Sequence, residues 1–361
     1  MAPEKLLLTP GPLTTRIETR RAMLDDWGSR DAPFVALTAE LRRRLLDVVH
    51  AGDEFVAVPL QGSGTFIVEA ALSTLLDREA KLLVLTNGAY GERMVRIARR
   101  LGRSVEALSW PENQAIDPAK VAAALDEGAG VTHVAMVHCE TTTGLLNPLE
   151  EVAGVVAAHG ASLIVDAMSS FGALPIDLRS LPVAAVLASS NKGLEGAPGL
   201  GFGIVARSVI DRCAGVSPSL SLDLHDQWRA LDETGQWRFT PPVQVVAALV
   251  EALRLLEAEG GPPARLRRYQ ANFDTLADGM QRLGFELYLE RAVQAPIIAT
   301  FRPRAGEAFD FDRFHGALSD RGFVIYPGKL TREETFRIGC IGAVEPADFQ
   351  RLLIEIRRIT I

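Results

Sequence analysis

Cysteine is scarce in this chain: three among 361 residues, at Cys139, Cys213 and Cys340. They are odd in number and far apart, and no pair has metal-binding spacing. That argues against a disulfide framework and fits free thiols in a reducing compartment. Long apolar runs are missing as well. None reaches membrane-spanning length, and the opening Met-Ala-Pro-Glu-Lys lacks a basic stretch followed by an apolar one, so a cytoplasmic protein is expected. A basic excess is also absent. The net charge is -7, which argues against a nucleic-acid footprint. The densest basic cluster, Arg42-Arg43-Arg44, sits in an amphipathic pattern from Leu37 to Val49 and reads as the solvated face of a helix. There is no internal repeat and no low-complexity segment. What remains is ordinary for a soluble enzyme, with 48% apolar and 23% charged residues. The length suits one large domain and a smaller one.

The order along the chain is informative. An extended arm, residues 1–15, ends in the turn Pro10-Gly11-Pro12, where proline forbids helix. Helical patterns follow at about 16–25 and 34–50. From residue 54 to about 206, short apolar runs alternate with helical segments. The runs are Phe55 to Val58, Leu82 to Thr86, Val131 to Val137, Ser162 to Asp166, Ala184 to Ala188 and Gly201 to Ala206. Such alternation reads as an α/β fold, a largely parallel sheet with helices on both faces. The short link between the last two runs predicts an antiparallel strand. We divide the chain into the arm, a large domain over 16–242, a connecting helix over 243–262 and a small α+β domain over 263–361. The helical pattern Val243 to Glu259 stops at Gly260-Gly261.

In such sheets ligands bind beyond the carboxyl ends of the strands, and the ends of five successive runs are polar or glycine-rich. Gln61-Gly-Ser-Gly-Thr65 precedes a helical pattern and has the makings of a phosphate cup, although a plain strand-to-helix turn looks similar. It lacks the third glycine of a dinucleotide fingerprint and the Gly-Lys-Ser/Thr of a P-loop. Asn87-Gly-Ala-Tyr-Gly91 offers Tyr90, an aromatic ring for stacking or for ordinary packing. His138-Cys-Glu-Thr-Thr-Thr-Gly144 offers hydroxyls, for a ligand or for turn chemistry. The fourth end is Asp166. The fifth is Ser189-Ser190-Asn191-Lys192. A charge at the end of a buried strand is costly unless it is paired or has a task, and pyridoxal phosphate supplies one for both Asp166 and Lys192. It needs a lysine amine to condense with its aldehyde and an acid to keep its ring nitrogen protonated. No metal is expected: nothing is spaced to complete a site around Asp166, and His133 and His138 face opposite ways on a strand. Arg337, flanked by apolar residues in Phe336-Arg-Ile-Gly-Cys-Ile-Gly342, suggests a buried anion fork or a strand arginine paired to a helix.

These stretches, together with Leu8-Thr-Pro-Gly-Pro12, Val165-Asp-Ala-Met-Ser-Ser170, Gln236-Trp-Arg-Phe-Thr-Pro-Pro242 and Tyr326-Pro-Gly-Lys-Leu330, make the chain similar over almost its whole length to the class V aminotransferases of fold-type I. It most resembles the subgroup that moves the amino group of 2-aminoethylphosphonate to pyruvate, giving phosphonoacetaldehyde and L-alanine. The resemblance implies a seven-stranded, mostly parallel sheet in the large domain. It implies that Lys192 carries the cofactor and shuttles the proton, and that Asp166 pairs with the ring nitrogen. Ser63, Gly64 and Thr65 would hold the phosphate, with Thr240 reaching in from the other chain of a homodimer. Tyr90 and Met168 would flank the ring, Thr142 or Thr143 would approach its hydroxyl, and Ser190 would complete the cofactor set. Arg337 would bind the substrate anion, with Gly11 and Pro12 closing over it. Two positions depart from the pattern: Gly193 stands where cysteine is expected and His225 where tyrosine is. The rival readings are an alanine–glyoxylate or serine–pyruvate aminotransferase and a non-catalytic protein of the same fold. A cysteine desulfurase is disfavoured because Asn191, not histidine, precedes Lys192.

Overall fold

The computed structural model describes residues 5–128, 130–304, 309–326 and 331–360. The arm forms strand β1 (Leu6–Leu8), followed by helices α1 (Ile17–Arg21) and α2 (Ala32–Val48). The alternating part runs β2 (Phe55–Gln61), α3 (Gly64–Leu75), β3 (Lys81–Thr86), α4 (Ala89–Arg100), β4 (Ser104–Ser109), α5 (Pro118–Glu127) and β5 (His133–Val137). A two-stranded ribbon, β6 (Cys139–Glu140) and β7 (Leu145–Leu146), leads to α6 (Leu149–Ala158), β8 (Ser162–Asp166), β9 (Ala185–Ser189) and β10 (Leu200–Ala206). Helices α7 (Arg207–Ile210), α8 (Leu224–Thr234), α9 (Val243–Glu259) and α10 (Gly261–Arg282) follow. The chain closes with β11 (Glu286–Leu287), β12 (Ile298–Arg302), α11 (Phe311–Asp320), β13 (Phe323–Ile325), β14 (Phe336–Gly339) and α12 (Pro346–Thr360).

Seven strands form the main sheet in the order β2-β10-β9-β8-β5-β3-β4. The inner strands are apolar on both faces because helices cover both. Leu83, Leu85, Val134, Met136, Leu163 and Val165 face one core, while Leu82, Val84, Ala135, Val137 and Ile164 face the other. The antiparallel strand is β10, bonded to β9 on one side and β2 on the other. Pro59 is tolerated in β2 because that strand is an edge. The six apolar runs become six of these strands. The seventh, β4, leaves no apolar run: it lies at the other edge with none of its residues buried and Glu106 in its middle.

A third core forms around the antiparallel sheet β11-β12-β14 and helices α10, α11 and α12. The arm joins it, since β1 pairs in parallel with β13, Leu6 opposite Phe323. Helix α9 packs in the main core through Val246, Leu249, Val250 and Leu253. The solvated reading of the arginine cluster fits Arg43 alone. Arg42 is tied to Asp232 and the Ala57 carbonyl, and Arg44 to Glu40 and Glu257.

Candidate active site

The strand-end loops converge on one cavity of about 310 Å3. Of the residues singled out from sequence, Gly11, Ser63, Gly64, Thr65, Tyr90, Asp166, Met168 and Lys192 line it. Asp166 ends β8 and is buried. Burial pushes its carboxyl up to about 6, opposed by a hydrogen bond from Met168 N (3.0 Å to Oδ1) and by the charge of Lys192. At neutral pH it is still ionised. Burial likewise pushes the Lys192 amine down to about 8, and the Asp166 carboxylate pulls it back up. Each charge is thus the other's counterweight.

The cup is the N-terminus of α3. Ser63 is its N-cap residue, yet its side chain makes no capping bond, so the first turn presents amides and the Ser63 and Thr65 hydroxyls to the cavity. Such an end suits a phosphate. Arg93 adds a positive charge there. Its Nη1 donates to Thr65 Oγ1 at 3.2 Å, and its guanidinium stacks on Tyr90, 4.9 Å from the ring centre. An acid at one strand end, an amine at the next and a helix N-terminus beside a cation form the donor set a phosphorylated pyridine aldehyde needs, so the residues fit pyridoxal phosphate.

The arm closes over the lysine loop. Gly11 has φ +121°, and a Cβ there would lie 2.4 Å from the Asn191 carbonyl oxygen and 3.0 Å from Lys192 Cδ. Pro12 follows outside the cavity lining. Arg337, buried on β14, also lies outside the lining, directly behind two residues that form it: its Nη1 donates to the Thr141 carbonyl at 2.8 Å, and its guanidinium stacks 4.6 Å from the centre of the Tyr326 ring. Burial lowers its pKa.

Several expected positions lie elsewhere. Among the three threonines it is Thr141 that faces the cavity. Thr142 turns its hydroxyl to Glu140, and Thr143 is fully buried, its carbonyl accepting from Thr300. The ribbon turn between β6 and β7 offsets the hydroxyls by one residue. Ser190 is buried and donates to the Ala197 carbonyl. Thr240 is exposed and does not line the cavity of its own chain. Of Tyr326-Pro-Gly-Lys-Leu330, only Tyr326 falls within the described residues, and it lines the cavity. Sequence reasoning missed Arg93, although it stands one helical turn from Tyr90, and that spacing was the available signal. Thr141 was offered only as one of three hydroxyls, and Asn191 and Tyr326 only as parts of longer motifs.

Helix α10 holds the loop beyond Lys192. Arg265 donates to the Gly193 carbonyl (2.7 Å) and to Glu259. Glu195, at φ +59°, donates its N–H to the Lys192 carbonyl and takes bonds from Arg268 (2.7 Å) and Tyr269 (2.6 Å). The Gly193 departure is explained by packing: a Cβ there would lie 2.6 Å from the Phe171 carbonyl oxygen and 3.0 Å from Ala173 Cβ. His225 packs edge-on to Trp228 and does not line the cavity.

Residues 28–325 match the family model described as aminotransferase class-V. A 2-aminoethylphosphonate–pyruvate transaminase from Polaromonas sp. is 53% identical, over 96% of this chain and 94% of its own. Another, from Burkholderia lata, is 55% identical over 95% of this chain and 91% of its own. Among solved structures, alanine–glyoxylate aminotransferase from Nostoc sp. superposes with a TM-score of 0.90 at 26% identity, covering 99% of this chain and 96% of that one.

Proposed function

This chain belongs to the class V aminotransferases, and on that premise we propose that it transfers the amino group of 2-aminoethylphosphonate to pyruvate with pyridoxal phosphate. The observation that carries this reading is the convergence of Asp166, Lys192 and the α3 N-terminus on one cavity. It comes in a chain more than half identical to transaminases named for that reaction.

When bound, the cofactor supplies an aldehyde carbon that exchanges amines and a ring that draws electrons from the substrate carbon. The protein does the rest. Ser63, Gly64 and Thr65 hold the phosphate, with Arg93 offsetting its charge. Asp166 holds a proton on the ring nitrogen. Tyr90 and Met168, both on the cavity wall, would bound the ring, and Thr141 would offer its hydroxyl to the ring's polar edge. Lys192 Nζ would be the group that holds and moves the proton. A lowered pKa suits it to both tasks near neutral pH. Tyr326 lines the far end, and Arg337 against it is the guanidinium that would serve a phosphonate in one half-reaction and a carboxylate in the other. Gly11 and Pro12 cover that end. In this reading the working enzyme is a homodimer in which Thr240 reaches the site of the other copy; the exposure of Thr240 and of its neighbour Phe239 supports it. Buried free thiols accord with a cytoplasmic setting.

The test is a donor panel on purified holoenzyme, following loss of the bound cofactor's visible band. 2-Aminoethylphosphonate should discharge the band fastest and pyruvate restore it. Faster discharge by L-serine, with glyoxylate the better acceptor, would transfer the assignment to the rival reaction. Lys192→Ala should abolish turnover while retaining some cofactor; full activity in that variant would end the mechanism.

A further inference from the structure

The proposed reaction leaves one buried acid beside the cavity without a task. Glu140 is fully buried at the end of the ribbon strand β6. Its Oε2 accepts from Tyr90 N at 3.2 Å. Its Oε1 accepts from Thr142 N at 3.1 Å and from the Thr142 hydroxyl. That hydroxyl in turn accepts from Ala89 N at 3.2 Å. Ala89 and Tyr90 are the first two residues of α4, whose N-cap residue is Gly88 and has no side chain to offer. The opening amides of this helix are therefore satisfied from a different strand end, by the Thr142 hydroxyl and by an acid that burial pushes up to about 7, placed where the helix dipole favours its ionised form. Gly88 makes room for the arrangement: a Cβ there would lie 2.4 Å from Glu140 Cδ.

The helix so capped carries three cavity residues, Tyr90, Arg93 and Met94; the first two stack on each other, with Arg93 bonded to Thr65 in the phosphate cup. On the other side, the residue after Glu140 gives its carbonyl to Arg337. We propose that Glu140 is a positioning residue: its carboxylate caps α4 from the neighbouring loop and so sets where Tyr90 and Arg93 stand at the cavity. The proposal rests on the pyridoxal phosphate reading and extends it to how the ring face and the phosphate end are held in register. A carboxylate is required because both oxygens accept. An amide of the same shape turns an N–H donor toward either Tyr90 N or Thr142 N, whichever way it flips.

The test titrates pyridoxal phosphate into apoprotein of wild type and Glu140→Gln, reading visible absorbance, the circular dichroism of the bound cofactor and Tm. The expected result is a cofactor Kd raised about tenfold or more, with a changed dichroic band, as the loss of charge-assisted bonds implies. Thr142→Val removes only the hydroxyl bridge and should move both readouts the same way by less; it carries the test if Glu140→Gln fails to fold. A lowered Tm with wild-type affinity and an unchanged band would overturn the proposal and leave Glu140 a purely structural acid. Wild-type protein that binds no pyridoxal phosphate would overturn the underlying reading, and this one with it.

Discussion

Lys192 has to be neutral to attack an aldehyde, so its pKa sets when the apoprotein can capture its cofactor. Burial brings that value from 10.5 to about 8. Because the neutral amine is the reactive form, the rate of capture should rise with pH and level off above about 8 rather than above the ordinary lysine value. Asp166 works against the shift by favouring the charged amine, so Asp166→Asn should move the midpoint lower. Stopped-flow absorbance of apoprotein mixed with pyridoxal phosphate across a pH series measures both, and a midpoint that stays put or rises in the variant would contradict the coupling. These two residues were legible in the sequence because a charge closing a buried strand is costly and therefore conspicuous. Thr141 was not legible among three adjacent hydroxyls, since composition does not reveal the turn that decides which of them faces inward. Glu140 and Arg93 escaped for a related reason: each has one partner, Tyr90 N and the Thr65 hydroxyl respectively, in another loop that only tertiary structure brings near.

At the scale of elements, α10 is the buttress of the lysine loop. Arg265 is fully buried, held by Glu259 and the Gly193 carbonyl. Replacing one member of a buried charge network strands the others. Arg265→Met should therefore cost about 3–5 kcal/mol of stability, measured by denaturant unfolding of the holoenzyme, and a cost under about 1 kcal/mol would show the network to be dispensable. Strands buried on both faces announced themselves as apolar runs. The edge strand β4 and the arm strand β1 did not. β4 is half exposed, and β1 reads only as an extended arm until its partner β13 is known.

For the molecule as a whole, the proposed sharing of Thr240 has a direct test. Thr240→Glu places a negative charge where Thr240 of the partner subunit is expected to meet the phosphate, so that variant alone should be inactive, as should Lys192→Ala alone. Co-expressed and randomly paired, they should regain activity toward about a quarter of wild type, because each hybrid dimer rebuilds one intact site. No recovery would place Thr240 outside the partner's site. The sequence shows a change of pattern near residue 241, just ahead of α9. It could not show the placement of Thr240 relative to a second copy, since one chain's pattern says nothing of what faces it. Among the described residues, no helix is long and apolar enough to cross a membrane.

The parallel pairing of Leu6 with Phe323 also fixes an order in time. The arm strand has no partner until β13 has been made, and Gly11, just beyond that strand, lies against the lysine loop. A ribosome-bound chain stalled before β13 would possess the large sheet, Asp166 and Lys192, yet have neither the docked arm nor Arg337. Closure of the arm over the lysine loop thus waits for β13.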